Sequence, residues 1–124
     1  MREDVKQFFE AYRDAFSRGP HAIAEFYSEP CLTARMGVVR VNATRKDIEL
    51  LFADVDAKYR AKGFTHADIL AQDIERLGSN SALATVRWAY KGAHEQTLWE
   101  TTFSYNLYRC EGGWKILVLT MHDA

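Results

Sequence analysis

The fold is decided by residues 81–123, which read SALATVRWAYK-GAHE-QTLWETTFSYNLYR-CEGG-WKILVLTMHD. Three segments of this stretch alternate between apolar and polar residues, as half-buried β-strands do, and two short turns that contain glycine separate them. The segments also hold all three tryptophans of the chain. This stretch therefore predicts three long antiparallel strands with one apolar face.

The first two strands are expected to pair so that each face of the hairpin is chemically uniform. Each buried aromatic side chain removes about 150–250 Å² from water, worth about 4–6 kcal/mol at about 25 cal/mol per Å². An exposed ion pair contributes only about 0–1 kcal/mol, so the apolar face determines the register. The predicted pairs are Trp88 with Trp99, Val86 with Thr101, Ala84 with Phe103, Arg87 with Glu100, and Thr85 with Thr102.

The last strand differs because residues 116–119 (ILVL) are apolar at every position. A strand has this pattern when both of its faces are covered. Helices of the same chain can cover one face, and a second sheet or another copy of the chain can cover the other. The run therefore predicts a homodimer that forms through the sheet.

The first half of the chain combines helical and strand patterns. Residues 3–17 place apolar side chains at helical spacing, and Gly19 and Pro20 end that pattern. Thr44, with Asp47 three residues later, resembles a capping box. The predicted elements are helices at 3–17, 21–27 and 44–63 and strands at 31–36, 38–42 and 64–77. Helices that precede a run of long strands, without βαβ alternation, predict an α+β fold.

Composition limits the classes of function. The 124 residues predict one domain, 1–124, and 16 Lys and Arg against 17 Asp and Glu give a net charge of −1. The sequence has no basic cluster for nucleic acid and no apolar run of roughly 20 residues for a membrane. The charged start, MREDVKQFF, is unlike a signal peptide and predicts a cytoplasmic protein. Cys31 and Cys110 lack metal-ligand spacing, which predicts buried reduced thiols, no metal and no organic cofactor.

Four segments, in their order along the chain, carry a family resemblance: FFEAYRDAF (8–16), IAEFYSEPC (23–31), Thr44 with Ile48 at a helix start, and GGWKI (112–116). Over essentially the whole chain they resemble the nuclear-transport-factor-2-like superfamily, in particular its SnoaL-like and ketosteroid-isomerase-like branch. The resemblance implies a cystatin-like α+β roll, in which a cone-shaped, strongly curved mixed or antiparallel sheet wraps around three N-terminal helices. It also implies a pocket at the open end and frequent dimerisation. Members include isomerases, cyclases, hydrolases, dehydratases and binding proteins without activity, so the fold leaves the function open.

The resemblance also implies catalytic positions, which this chain fills only in part. The oxyanion-hole tyrosine of ketosteroid isomerases corresponds to Tyr12. Their general-base aspartate falls at about Arg35, whose guanidinium stays charged and accepts no proton at neutral pH. Their second oxyanion donor, a protonated aspartate, falls near Asn106, which is no carboxylic acid. The isomerase mechanism is therefore not predicted.

Three side chains are candidates for polar roles in the pocket, each with a plainer alternative. Tyr12 either donates a hydrogen bond inside the cavity or is a core residue of its helix. Arg35 either binds an anionic group with its fork of donors or reaches solvent from a strand. His122 either acts as a general base beside the aromatic residues or is a solvated residue at a strand end. His66 and Asp68 form a weaker candidate pair, two residues apart on one strand face.

Five aromatic residues are expected either to wall the pocket or to fill the core: Trp88, Tyr90, Trp99, Phe103 and Tyr105. The leading hypothesis is a dimeric protein that binds a small, largely apolar molecule and uses His122 and Tyr12 for acid/base chemistry without a cofactor. The alternative is a non-catalytic binding or assembly module whose cavity is filled by its own aromatic side chains. An open cavity with convergent polar groups favours the first hypothesis, and a collapsed cavity favours the second.

Overall fold

A computed structural model describes residues 2–123 as a curved six-stranded sheet with three helices packed against one face. The elements are α1 (Arg2–Ala15), α2 (Pro20–Ala24), β1 (Tyr27–Arg35), β2 (Val38–Asn42), α3 (Arg45–Ala61), β3 (His66–Arg76), β4 (Ser81–Lys91), β5 (Thr97–Cys110) and β6 (Gly113–Met121). This architecture confirms the predicted α+β roll. None of the helices within residues 2–123 is long and apolar enough to cross a bilayer.

Helix α3 begins at the predicted cap. The Thr44 hydroxyl accepts a hydrogen bond from the Asp47 amide at 3.3 Å, and the Asp47 carboxylate accepts one from the Thr44 amide at 3.2 Å. These reciprocal bonds satisfy amide groups that a helix start leaves without partners. The helix buries one apolar stripe against the sheet, made of Ile48, Leu51, Phe52 and Val55.

The sheet is mixed and open. Its strand order is β2-β1-β6-β5-β4-β3, and every neighbouring pair is antiparallel except β1 and β6, which are parallel. Four of the five strand pairings contain a register shift. Such irregularities bend strands and increase their twist, so they account for the curvature that lets the sheet wrap around the helices.

The predicted register of the β4–β5 hairpin is wrong by two residues. Tyr90, and not Trp88, lies opposite Trp99. The turn contains five residues, 92–96, closed by a hydrogen bond of 3.0 Å from the Gly92 amide to the Gln96 carbonyl. The predicted assignment of side chains to faces survives, because a shift of two residues returns each side chain to its own face.

Strand β1 begins earlier than predicted, which changes the position of one tyrosine. The second helix ends at Ala24 instead of residue 27, and Tyr27 is the first residue of β1. Pro30, which lies between the predicted helix and the predicted strand, is inside β1 where the pairing with β6 is irregular. A proline is tolerated at such a position because the ladder needs no amide donor there. The Tyr27 side chain is consequently part of the core, with 2% of its surface exposed.

The face of the sheet away from the helices, called the outer face below, keeps apolar side chains at its surface. In β6, Ile116 and Leu119 are buried, while residues 117 and 118 are half-buried. The outer face also carries Leu32 of β1, Leu83 of β4 and Tyr108 of β5, which are 39%, 41% and 44% exposed. No second sheet within residues 2–123 covers this face.

The two cysteines have different environments. Cys31, in the middle of β1, is buried, as expected, and burial raises the pKa of its thiol to about 11. Cys110 is exposed, so the prediction that both thiols are buried is wrong for this residue. Its position explains the difference, because it is the last residue of β5 and borders a surface turn.

Candidate functional site

The helices and the inner face of the sheet enclose a cavity of only about 20 Å³. That volume holds about one water molecule. The residues that line it are Tyr12, Phe16, Arg35, Phe52, Val55, Tyr59, Ala67, Trp88, Tyr90, Phe103, Tyr105 and Leu119. Aromatic rings from both layers therefore occupy most of the space that an open cone would leave for a ligand.

Four of the five predicted wall residues line this cavity, and the fifth lies behind it. Trp88, Tyr90, Phe103 and Tyr105 face the cavity and are each no more than 5% exposed. The ring of Trp99 packs outside them, with its centroid 4.9 Å from that of Tyr90 and 5.0 Å from that of Tyr59. Trp99 thus supports the wall and does not line the cavity.

The polar atoms of the wall are bonded mostly to one another. The hydroxyl groups of Tyr12 and Tyr27 lie 2.6 Å apart, and both side chains are 2% exposed. Trp88 donates from Nε1 to the Tyr105 hydroxyl at 2.9 Å. Buried polar groups need such partners, and here neighbouring aromatic residues supply them. Tyr12 therefore lines the cavity and belongs to the core at the same time.

Burial keeps these hydroxyl groups protonated. It raises the pKa of Tyr12 well above its usual value, and the adjacent Tyr27 raises it further. Burial likewise raises the pKa of Tyr27, although the positive charge of Arg35 acts weakly in the opposite direction. A tyrosine in this state donates hydrogen bonds but does not accept a proton as a base at neutral pH.

Arg35 provides the formal charge at this site. It is the last residue of β1, it is half-buried, and it lines both the cavity and an open groove of about 230 Å³ beside it. Its guanidinium makes no hydrogen bond or ion pair with another residue in the part of the chain from 2 to 123. No carboxylate and no imidazole lies among the side chains that line the cavity.

The placement of His122 beside the aromatic residues is wrong, and Asn106 does not face the cavity either. The His122 Nε2 atom lies 2.7 Å from the Ser104 hydroxyl, on the outer face, because β6 pairs with β5 so that His122 adjoins Thr102. Asn106 alternates with two buried neighbours of β5 and likewise points to the outer face. Neither side chain lies near Tyr12 at the cavity.

His66 is bonded to Glu95 and Thr65, and not to Asp68, the partner that the sequence suggested. Its Nε2 atom lies 2.7 Å from a carboxylate oxygen of Glu95, and its Nδ1 atom lies 2.8 Å from the Thr65 hydroxyl, so Asp68 does not orient it. The cluster joins β3 to the β4–β5 turn at the surface. Across residues 2–123, no three His, Cys, Asp or Glu side chains are grouped to hold a metal ion.

Two lining or adjoining residues were missed as site residues. The sequence places Tyr59 in the predicted helix 44–63 and Tyr27 at the end of the predicted helix 21–27, and it assigns neither a role in the site. The signal for Tyr59 is its aromatic character at the end of a buried stripe, where a helix meets the pocket of a cone. For Tyr27, the nearby Pro30 was the available sign that the chain leaves helical geometry early.

The curved open sheet, the three helices before its long strands and the aromatic core define a protein of the NTF2-like, cystatin-like class. Residues 2–124 match the family described as NTF2-like protein (DUF6841). The chain belongs to this family. A search of curated proteins finds no match.

Solved structures agree with this fold. An NTF2-like protein of unknown function from Shewanella oneidensis MR-1 is 19% identical, with 98% of each chain covered and a TM-score of 0.75. An NTF2-like protein with a cystatin-like fold from Novosphingobium aromaticivorans is 16% identical, with 97% of this chain and 79% of that chain covered and a TM-score of 0.77. A candidate dehydratase of the NTF2-like family from Streptomyces avermitilis is 14% identical, with 98% and 94% covered and a TM-score of 0.72. At these identities the likeness concerns the fold alone.

Proposed function

We propose that the protein is a non-catalytic binding protein for a small, largely apolar molecule that carries a negative charge. The observation that carries this proposal is the half-buried guanidinium of Arg35, which has no ion-pair partner among residues 2–123 and lies where the aromatic cavity meets the open groove. A guanidinium presents five donors in a planar fork that suits a carboxylate. Arg35 therefore anchors the charged end of the ligand.

The apolar surroundings support the same class of ligand. Val38 and Leu51 line the groove beside Arg35, and Phe16 and Tyr59 line the adjoining cavity. Small-molecule sites combine such apolar walls with a few placed polar groups. Because the cavity itself is nearly filled, the apolar part of the ligand first contacts the groove and enters deeper only by displacing aromatic side chains.

Binding is favoured over catalysis because the cavity offers no proton acceptor. A general base must lie within hydrogen-bond reach of the proton it removes. The lining side chains that titrate are Arg35 and tyrosines, and burial raises the pKa of Tyr12, Tyr90 and Tyr105. His122, the base considered from the sequence, lies on the outer face.

Arg35→Gln is expected to weaken binding of benzoate by about 10-fold to 100-fold, because hydrogen bonds to a charged group contribute about 1.5–3 kcal/mol. Isothermal titration of benzoate, with neutral benzamide as the comparison ligand, measures this effect. Arg18→Gln is the matched control, because Arg18 is exposed and lines a separate surface depression. Equal benzoate affinity in Arg35→Gln and the wild type, or no benzoate binding by the wild type, would contradict the proposal.

The second candidate is an assembly module without a ligand, and the filled cavity favours it. About 20 Å³ of free space suits a core better than a pocket. The apolar outer face would then be the functional surface, covered by a second copy of the chain. Leu32, Leu83 and Tyr108 on that face remain partly exposed in the single chain, as they would in half of a dimer.

Leu83→Lys is expected to convert a dimer to a monomer, because it places a charge in the proposed interface. Size-exclusion chromatography with light scattering measures the mass, which for a dimer is twice the 14.2 kDa of the chain. Leu50→Lys is the matched control, because Leu50 is 57% exposed on α3. A wild-type mass of 14.2 kDa at micromolar concentration would rule out the dimer.

A further inference from the structure

A second arginine lies next to Arg35 on the hairpin formed by β1 and β2. The two strands are joined by Met36 and Gly37, whose φ angles are 51° and 80°. Positive φ values at both positions are typical of the tight two-residue turn that holds antiparallel strands in one register. In that register Arg35 lies opposite Val38, and Arg40 lies on the same strand as Val38, two residues further on.

Arg35 and Arg40 share one face of this hairpin. Thr33 is 2% exposed and points into the molecule, and Arg40 lies directly opposite it. Arg35 follows Thr33 by two residues, so its side chain leaves the strand on the same face. Diagonal neighbours in an antiparallel pair are about 7–8 Å apart, which brings the two guanidinium groups within reach of one small anion.

Both arginines line the groove of about 230 Å³ between this hairpin and α3. The one carboxylate in that groove, Asp54, already forms an ion pair with Lys58 at 3.0 Å. Within residues 2–123, neither Arg35 nor Arg40 makes a hydrogen bond or an ion pair. Two neighbouring positive charges without a counter-ion repel each other. A ligand group that carries two negative charges therefore binds there more favourably than a group that carries one.

Met36, in the turn between β1 and β2, adds an apolar side chain to the groove beside the two arginines. Met36 adopts a left-handed backbone conformation that glycine and asparagine tolerate better than methionine does. The Met36 side chain is 74% exposed and lines the groove beside Arg35. It therefore provides an apolar wall next to the two charges, which a glycine at this position would not provide.

We infer that Arg35 and Arg40 form a subsite for a doubly charged oxyanion group, a phosphate monoester or a pair of adjacent carboxylates, on the ligand. This inference rests on the proposed function, since Arg35 belongs to both. The paired guanidinium forks contact the oxyanion. The apolar body of the ligand lies against Met36, Val38 and Leu51.

Titration of phenyl phosphate and benzoate into the same variants tests the subsite. The wild type is expected to bind phenyl phosphate about tenfold more tightly than benzoate, because the second arginine adds about one charged hydrogen-bonding contact. Arg40→Gln is expected to lose that preference, because its phenyl phosphate affinity falls about tenfold more than its benzoate affinity does. Phthalate, which carries two carboxylates on one ring, distinguishes a dicarboxylate from a phosphate ligand. Arg18→Gln again serves as the control.

The outcomes separate this inference from the proposed function. A phosphate preference that persists in Arg40→Gln, or equal binding of benzoate, phthalate and phenyl phosphate by the wild type, overturns the two-arginine subsite. Loss of benzoate binding in Arg35→Gln in the same experiment would still support the anion anchor. Failure of the wild type to bind any of the three anions overturns both. Arg40→Lys, which keeps the charge but not the fork, is expected to retain part of the preference.

Discussion

Trp88→Ala is expected to lower the free energy of unfolding by about 3–5 kcal/mol, the usual cost of removing a buried tryptophan. The Trp88 ring is 2% exposed, contacts Tyr12 and donates a hydrogen bond to Tyr105. Its removal leaves an apolar space that the neighbouring rings fill only in part. Dry apolar cavities of about 150 Å³ bind benzene in other proteins, so added indole or benzene is expected to bind there. Urea unfolding with and without indole measures both effects, because binding to the folded state raises the unfolding midpoint.

Trp114→Ala is the control for this experiment. Trp114 is half-buried at the surface, with the guanidinium groups of Arg76 and Arg109 stacked 5.2 Å and 4.7 Å from its ring centroid. Its removal opens no enclosed space, so indole should not raise the unfolding midpoint of this variant. A loss below about 1 kcal/mol for Trp88→Ala, or no response of that variant to indole, would show that Trp88 does not fill the cavity.

Alternation in residues 81–109 predicts which side chains share a face, but it does not predict which residues lie opposite one another. Pairing Trp99 with Trp88 or with Tyr90 satisfies the pattern equally well, since the two registers differ by two residues. The turn selects between them. It places Glu95 at a φ of 63°, a conformation that glycine or asparagine usually marks, so the sequence carries no sign of this turn geometry.

The size of the cavity is a second property that the alternating pattern leaves open. An aromatic stripe has the same sequence whether opposing rings meet or leave a gap, and only the packing between layers decides. Tyr59 of α3 contacts the rings of Tyr90 and Trp99, while Phe52 of α3 and Phe16 after α1 contact each other and line the same cavity, so together they fill most of the space. The sequence identified these residues as apolar but did not predict how closely they approach the sheet.

The candidate site was predictable where one residue's chemistry decides its role and unpredictable where strand pairing decides it. Arg35 lies at the cavity because it is at the end of β1. The site lacks the general base of the isomerases because a guanidinium occupies that position and accepts no proton at neutral pH. The face on which the His122 side chain lies depends on the pairing of β6 with β5. Because alternate residues of a strand point to opposite faces, an error of one position in that pairing moves a side chain from the pocket to the outer surface.

Raising the pH above 10 is expected to destabilise the protein by several kcal/mol. Tyrosine hydroxyls in an unfolded chain ionise with a pKa of about 10. Burial raises the pKa of four of the six tyrosines above that value in the folded chain, namely Tyr12, Tyr27, Tyr90 and Tyr105. Their contribution to stability is therefore fully present below pH 10 and is lost as the pH rises towards their folded pKa values. Each contributes about 1.4 kcal/mol per pH unit, so the four together remove on the order of 5 kcal/mol by about pH 11.

Urea unfolding between about pH 8 and pH 11 measures this loss, and tyrosinate absorbance counts the hydroxyls that stay protonated in the folded state. Tyr90→Phe removes one buried hydroxyl. Above pH 10 it is therefore expected to reduce the slope of the free energy of unfolding against pH by the contribution of one tyrosine. Tyr108→Phe is the matched control, because Tyr108 is 44% exposed on the outer face, and it should keep the wild-type slope. The buried thiol of Cys31, with a pKa raised to about 11, adds to the same trend from a lower pH, and Cys31→Ala removes that part. A free energy of unfolding that stays constant up to about pH 11 would mean that the tyrosine hydroxyls ionise freely, and that the aromatic cavity is open to water rather than filled.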